Sequence, residues 1–287
     1  MSEVENSTVN GVQVLGLCRF SVPSKGAFKV HHHHVANRRA FLYEPKRLAL
    51  RFTWFEHVVL PGIAAQKDPN FKLVVVLGED MPEPWRSRML AHVSAIPQLV
   101  AEFVPPEDHR KVCADAIARH IDPEAEAVLQ FRHDDDDAVS VDFVRRLRRD
   151  FRKTRKLFDA TGLMAIDYAR GINLFDTGGS LTPYPRFEAF LGIAFAVCTR
   201  PSDGNHVLDF MHHVIWQSMP VVTQSDAYMW LRGVHGTNDS GGPKPVAHFE
   251  ADPAELRRVL RQRFRVDLPG FKQALQGWRD EHGEAAE

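Results

Sequence analysis

Short runs of continuously apolar residues alternate with segments of helical periodicity through the first half of the chain. Residues 12–20 (VQVLGLCRF) are apolar and β-branched and predict a buried strand. Residues 22–40 predict a loop. A helix follows, with Pro45 suited to its first turn. Leu48, Phe52, Phe55 and Val59 then recur at helical spacing, and Pro61-Gly62 predicts the stop. Lys72–Gly78 (KLVVVLG) predicts a second buried strand, residues 84–95 a helix, Leu99–Val104 a third strand and residues 108–120 another helix. Residues 127–131 predict a fourth strand, which runs directly into HDDDDAV. Short apolar strands between helices imply an α/β protein with a mixed, mainly parallel sheet covered on both faces. Ligands in such sheets sit beyond the carboxyl ends of the strands, and the acidic run stands at one of those ends.

The second half is less regular. Ser140 is a fitting N-cap for a long helix through about residue 158, rich in Arg145, Arg146, Arg148, Arg149, Arg152, Lys153, Arg155 and Lys156. That basic face is either simply solvated or a patch for an anionic acceptor or lipid headgroups. Residues 164–169 and 189–198 predict further strands, the second also compatible with a helix. Gly178-Gly179 and residues 183–185 predict the loops between them. Asp252-Pro253-Ala254-Glu255 forms a capping box that opens a C-terminal helix pair. No break in composition divides the chain, so residues 12–287 predict a single domain after a flexible stretch 1–11.

The 287 residues suffice for a large buried core. Lys plus Arg number 36 against 37 Asp plus Glu, and this balance argues against a nucleic-acid binder. The three cysteines, Cys18, Cys113 and Cys198, are widely spaced, which fits free thiols in a reducing compartment. The polar N-terminal residues do not resemble a signal peptide, and no apolar run is long enough to cross a membrane. The expectation is a cytoplasmic protein, with any membrane contact peripheral and at the inner face. Residues 31–34 (HHHH) read either as a metal site or as a solvated loop, since four adjacent imidazoles cannot all face one ion.

Asp134, Asp135, Asp136 and Asp137 are the strongest chemical signal. Their mutual repulsion is costly unless a cation or a set of donors offsets it. Oxygen-rich clusters select hard ions, Mn²⁺ or Mg²⁺, which can bridge a diphosphate. In an extended segment Asp134 and Asp136 would share one side, and Asp135 and Asp137 the other. A solvated acidic turn at a helix N-terminus is the plainer reading. Asp209, His212 and His213, in DFMHHVIWQSMP, are candidate bases for deprotonating an acceptor hydroxyl.

Three stretches together resemble the bacterial rhamnosyltransferase family: RFSVPSKGAF from Arg19, the run YEPKRLALRFTWFEHVVLPGIAAQKDPNFKLVVVLGEDMPEPW, and RHDDDDAVSVDFV. The resemblance implies a GT-A glycosyltransferase fold, a nucleotide-sugar donor, a divalent metal and a saccharide or lipid-linked saccharide acceptor. The donor sugar would be rhamnose or another hexose, in cell-surface polysaccharide synthesis. Residues 12–140 would form the nucleotide-sugar half, and residues 141–287 the acceptor half and C-terminal helices. It carries an Asp-x-Asp role onto Asp134 and Asp136, with Asp137 beside them as a metal ligand and Asp134 and Asp135 nearer the nucleotide-sugar. Family members show Thr-Arg-Leu before the aspartates, where this chain has Phe131-Arg132-His133. A late histidine often binds metal or diphosphate in such enzymes; His235, in residues 233–239 (GVHGTND), matches it. Arg19 falls where the nucleotide binds, whereas Arg51, mid-helix, reads as a structural arginine. On this reading Asp136→Asn is expected to remove metal-dependent donor binding and spare the fold.

Two other classes compete. His133-Asp134 is also the dipeptide of helical metal-dependent phosphohydrolases, with residues 31–34 and His120 as further ligands. A non-catalytic nucleotide- or cation-binding module would keep the cluster without a base.

Overall fold

The computed structural model describes residues 7–26, 34–178, 180–238 and 244–283. Of the histidine run only His34 falls among them; residues 31–33, like Gly179, lie outside the described residues. In chain order the first half comprises β1 (Thr8–Val9), β2 (Val12–Arg19), α1 (Val35–Leu42), α2 (Pro45–Trp54), α3 (Leu60–Ala64), β3 (Lys72–Gly78), α4 (Trp85–Ala95), β4 (Leu99–Val104), α5 (His109–Ala118) and β5 (Ala127–Asp134). The second half comprises β6 (Ala138–Val139), α6 (Phe143–Thr161), β7 (Met164–Tyr168), β8 (Arg170–Asp176), β9 (Leu181–Phe187), β10 (Phe195–Thr199), β11 (Val221–Gln224), β12 (Trp230–Val234), α7 (Pro253–Val259) and α8 (Leu268–His282).

The main sheet runs β11-β7-β10-β5-β2-β3-β4, with β1 paired to β2. The neighbours β5, β2, β3 and β4 are parallel, as the strand–helix alternation predicts, and β10 is inserted antiparallel between β5 and β7. These strands are apolar throughout because both faces are covered: Leu73, Val75 and Leu77 belong to one core cluster, and Val74 and Val76 to the other. In the β2–β5 register Arg19 lies directly beside Asp134, which brings a guanidinium to the acidic strand end.

Several expectations change. Residues 35–42 are helical where a loop is expected. Pro61-Gly62 does not end its helix: a π-turn at Phe55–Val59 joins α2 to α3. Pro61 has no N–H to donate, and it stands in the first turn of α3. The cap of α6 is Asp142, not Ser140, whose Oγ accepts from the Asp142 amide at 3.3 Å. Thr8–Val9 already pairs with β2 in a stretch expected to be flexible. Within residues 189–198 only β10 is strand.

The main omission is a second sheet, β6-β12-β8-β9. Pro183 and Pro185 stand inside β9, not in a loop. β9 is an edge strand, where the absent amide goes unused. This sheet, with α7 and α8, encloses a separate apolar cluster around Trp54, Leu231, Leu260 and Phe271. β6 begins directly after Asp137 and pairs with β12, so the second sheet is folded over the acidic turn.

Candidate functional site

β5 ends at Asp134, and the chain then turns: the Asp137 amide donates to the Asp134 carbonyl at 3.4 Å. The alternation expected of an extended segment is therefore broken. Asp135 and Asp136 both pair with Arg51, at 2.8 Å each. All four aspartates line a cavity of about 230 Å³, and Asp134 and Asp137 also line an adjoining one of about 240 Å³. The first is also lined by Arg19, Arg47, Arg51, Arg132, Arg232 and Asn238. The second shares Arg132 and Arg232 and adds His212 and the loop 191–193. A larger cavity, of about 1010 Å³, lies between β9 and α7, and none of the candidate residues lines it.

Each carboxylate has its own electrostatic setting. Burial alone would raise Asp134, but Arg132 (3.0 Å) and Arg19 (2.7 Å) hold it far below the usual carboxylate range. Burial pushes Asp135 up to about 7 against the pull of Arg51, and the charge of Asp136 adds to the rise. Asp136 is buried too, yet Arg51 and His235 keep it low. Asp137 is raised well above its ordinary value by burial and then by the charges of Asp136 and Asp134. Its Oδ1 accepts from the Gly233 amide at 3.2 Å. A Cβ at Gly233 would lie 2.4 Å from the Asp136 carbonyl, so only glycine lets β12 approach so closely.

His235 is buried beneath the cluster, stacked on Trp54 at 4.7 Å. Its Nε2 lies 3.0 Å from Asp136 Oδ2, and Asn238 Nδ2 donates to the same oxygen at 2.9 Å. With Arg51 this oxygen has three partners. Asp136→Asn would disturb all of them, so the expectation that it spares the fold does not follow. Arg51 is internally paired, as read from the sequence. His133 is buried, with Nδ1 2.8 Å from the Asp134 carbonyl, and burial lowers its pKa. The His133-Asp134 dipeptide ends a strand, whereas the phosphohydrolase alternative requires it on a helix. His120 pairs with Glu102 at 2.7 Å.

The structure separates the candidate bases. His212 lines the second cavity. Asp209 is exposed and pairs with His206 at 2.9 Å, and His213 is exposed. In α6, Arg146 and Arg148 turn inward to Asp226 (2.5 Å) and Asp68 (3.0 Å), and Arg152, Lys153 and Lys156 are exposed.

Sequence reasoning did not single out Arg47, Arg132 or Arg232. Arg132 was within reach of it: two residues before Asp134 on one strand, it shares that residue's side. Arg47 and Arg232 are brought in by tertiary packing.

A buried chain of polar groups leads to Arg19. Ser24 Oγ lies 2.6 Å from His109 Nδ1, and Arg19 Nη1 lies 3.3 Å from His109 Nε2. Burial, and next the Arg19 charge, push His109 down to about 4 from 6.5. Between those values the unfolded chain takes up a proton that the folded chain refuses. The contribution of His109 to stability is thus full above pH 6.5 and is lost as pH falls towards 4, by about 3 kcal/mol at most. Urea denaturation from pH 7 to 4.5 should show wild type losing its advantage over His109→Gln. A constant difference would remove His109 from the acid response.

The fold is a mixed α/β one, a mostly parallel main sheet flanked by helices with an acidic turn at a strand end. The profile of the family described as "Putative rhamnosyl transferase" matches residues 13–247, and the chain belongs to that family. Among solved structures it is similar to S. aureus TarS 1–349, at 10% identity and a TM-score of 0.37, over 77% of this chain and 60% of that one. For TarS 1–349 in complex with UDP the values are 11% and 0.40, over 94% and 71%. For a protein from Desulfovibrio desulfuricans G20 described as a "putative nucleotide-diphospho-sugar transferase" they are 10% and 0.34, over 97% and 100%. No curated protein matches. Among the described residues no helix is long and apolar enough to cross a membrane.

Proposed function

We propose that this protein is a metal-dependent glycosyltransferase that moves rhamnose or another hexose from a nucleotide-sugar to a saccharide hydroxyl, in cell-surface polysaccharide synthesis. The observation that carries this reading is the juxtaposition of five arginines with Asp134 and Asp137 around one cavity. Guanidinium groups match phosphate oxygens, and the two carboxylates offer hard oxygen donors to a cation.

The residues fit a hard divalent ion. Asp137 is a buried acid raised by its acidic neighbours, a repulsion that a cation relieves. Among the described residues no three His, Cys, Asp or Glu side chains converge on one point. A site of one or two carboxylates, completed by phosphate oxygens and water, is the usual Mg²⁺ arrangement. Asp134 and Asp137 would hold it, with Asp136, paired to His235, beside them. When bound, such an ion supplies charge stabilisation to the departing diphosphate.

The protein's own groups do the rest. Arg19 and Arg132 clamp Asp134 and border the diphosphate. A carbonyl only accepts, so His212 Nδ1, 2.6 Å from the Phe190 carbonyl, carries the proton and Nε2 is the basic nitrogen. Burial lowers the pKa of His212, which favours the neutral ring. In the second cavity it is the group placed to take the acceptor hydroxyl proton.

Thermal unfolding with UDP, GDP and dTDP, each with and without Mn²⁺, tests the reading. One nucleotide should raise the midpoint only with metal, equivalent to about 2.7 kcal/mol at a hundredfold excess over Kd. A flat response to all three would favour an unusual donor or a module without nucleotide chemistry.

A further inference from the structure

The wall of the second cavity is strained. Phe190 has φ 60° and Ala194 φ 47°, both non-glycine residues in the left-handed region, with Gly192 at φ 92° between them. Such conformations cost about 1–3 kcal/mol each and persist only where the surroundings enforce them. Two side chains do so at Phe190. Its amide donates to Asp167 Oδ1 at 3.2 Å, from the fully buried Asp167 on β7. Its carbonyl accepts from His212 Nδ1 at 2.6 Å. Amide and carbonyl flank the two dihedrals of one residue, so holding both holds the strained conformation. The loop also packs on the imidazole: a Cβ at Gly192 would meet the His212 ring at 3.2 Å.

We propose that Asp167 is a positioning residue that acts through the Phe190 backbone. By fixing the Phe190 amide it presents the carbonyl that selects the Nδ1–H tautomer of His212 and aims Nε2 into the cavity. The strain in loop 190–194 is then part of the site: a relaxed loop would turn the carbonyl away and release the ring. This inference rests on the reading of that cavity as the acceptor side, with His212 as base.

The test compares Asp167→Ala, which removes the acceptor oxygen, with Asp167→Asn, which keeps one. Nitrogen-15 NMR of the full chain reads the His212 tautomer, and hydrogen exchange reads protection of the Phe190 amide. Wild type and Asp167→Asn should show the Nδ1–H tautomer and a protected amide; Asp167→Ala should lose both. Turnover of dTDP-rhamnose should fall about tenfold in kcat in Asp167→Ala with KM for the donor unchanged, and Asp167→Asn should recover it. Unchanged tautomer and protection in Asp167→Ala would overturn the proposal. If Asp167→Ala does not fold, Asp167→Asn decides alone: a changed tautomer overturns the proposal and a wild-type tautomer supports it. Because the NMR readout needs no substrate, failure of the transferase reading would appear separately, as a wild-type unfolding midpoint that no nucleotide raises with or without Mn²⁺.

Discussion

Replacing Arg51 with methionine should lower the free energy of unfolding by about 3–5 kcal/mol at pH 7, the usual effect of stripping the partner from buried charge. Arg51 reaches Asp135 and Asp136 at 2.8 Å each, and all three side chains are at most 9% exposed. Even with this guanidinium in place, burial pushes Asp135 up to about 7. Without it, Asp136 would also lose the charge that keeps it ionised. Methionine fills much of the volume, so the loss reports electrostatics more than a cavity. Adding Asp135→Asn to Arg51→Met should recover part of the loss, because it replaces a buried acid left without its partner by a neutral amide. Urea denaturation of the wild type, single and double variants measures this. A loss below about 1 kcal/mol, the range of exposed pairs, would mean that Arg51 does not anchor the acidic turn.

Asp137→Asn should act on binding. Asp137 borders both cavities and its Oδ1 has the Gly233 amide as partner, which an asparagine carbonyl can keep. The buried acid is replaced by a neutral isostere where neighbouring charges already oppose ionisation, so stability should hold or rise. Metal-dependent binding of the nucleotide should weaken on the order of 10²-fold or more, since residues that merely support a ligand already account for about 10–100-fold. Calorimetric titration of UDP, GDP or dTDP with and without Mn²⁺ reads the effect. Equal affinity in variant and wild type would place the ion elsewhere.

The two variants probe different roles in the cluster: Asp135 and Asp136 hold the turn to α2 through Arg51, and Asp134 and Asp137 are the two that border both cavities. The linear sequence suggested the other division, 134 with 136 and 135 with 137. Alternation holds only while the backbone stays extended, and β5 ends at Asp134. The spacing along the chain therefore did not give the pairing of the four carboxylates, which the turn decides.

By itself the sequence determined the parallel half of the fold. Strands β3 and β4 have the predicted bounds because their apolar runs are continuous and closed by polar or turn residues. It also determined the acidic cluster's place at a strand end, where backbone topology leaves a crevice. Tertiary structure decided what local pattern does not encode. β8, β9 and β12 are stabilised by pairing with one another and by the helices behind them, so β9 tolerates two prolines that read as loop. Arg47 and Arg232 join the cavity from α2 and β12, and His212 from a turn braced on Phe190. Their proximity depends on the second sheet folding over the acidic turn. Long-range packing makes that arrangement, and residue spacing along the chain carries no trace of it.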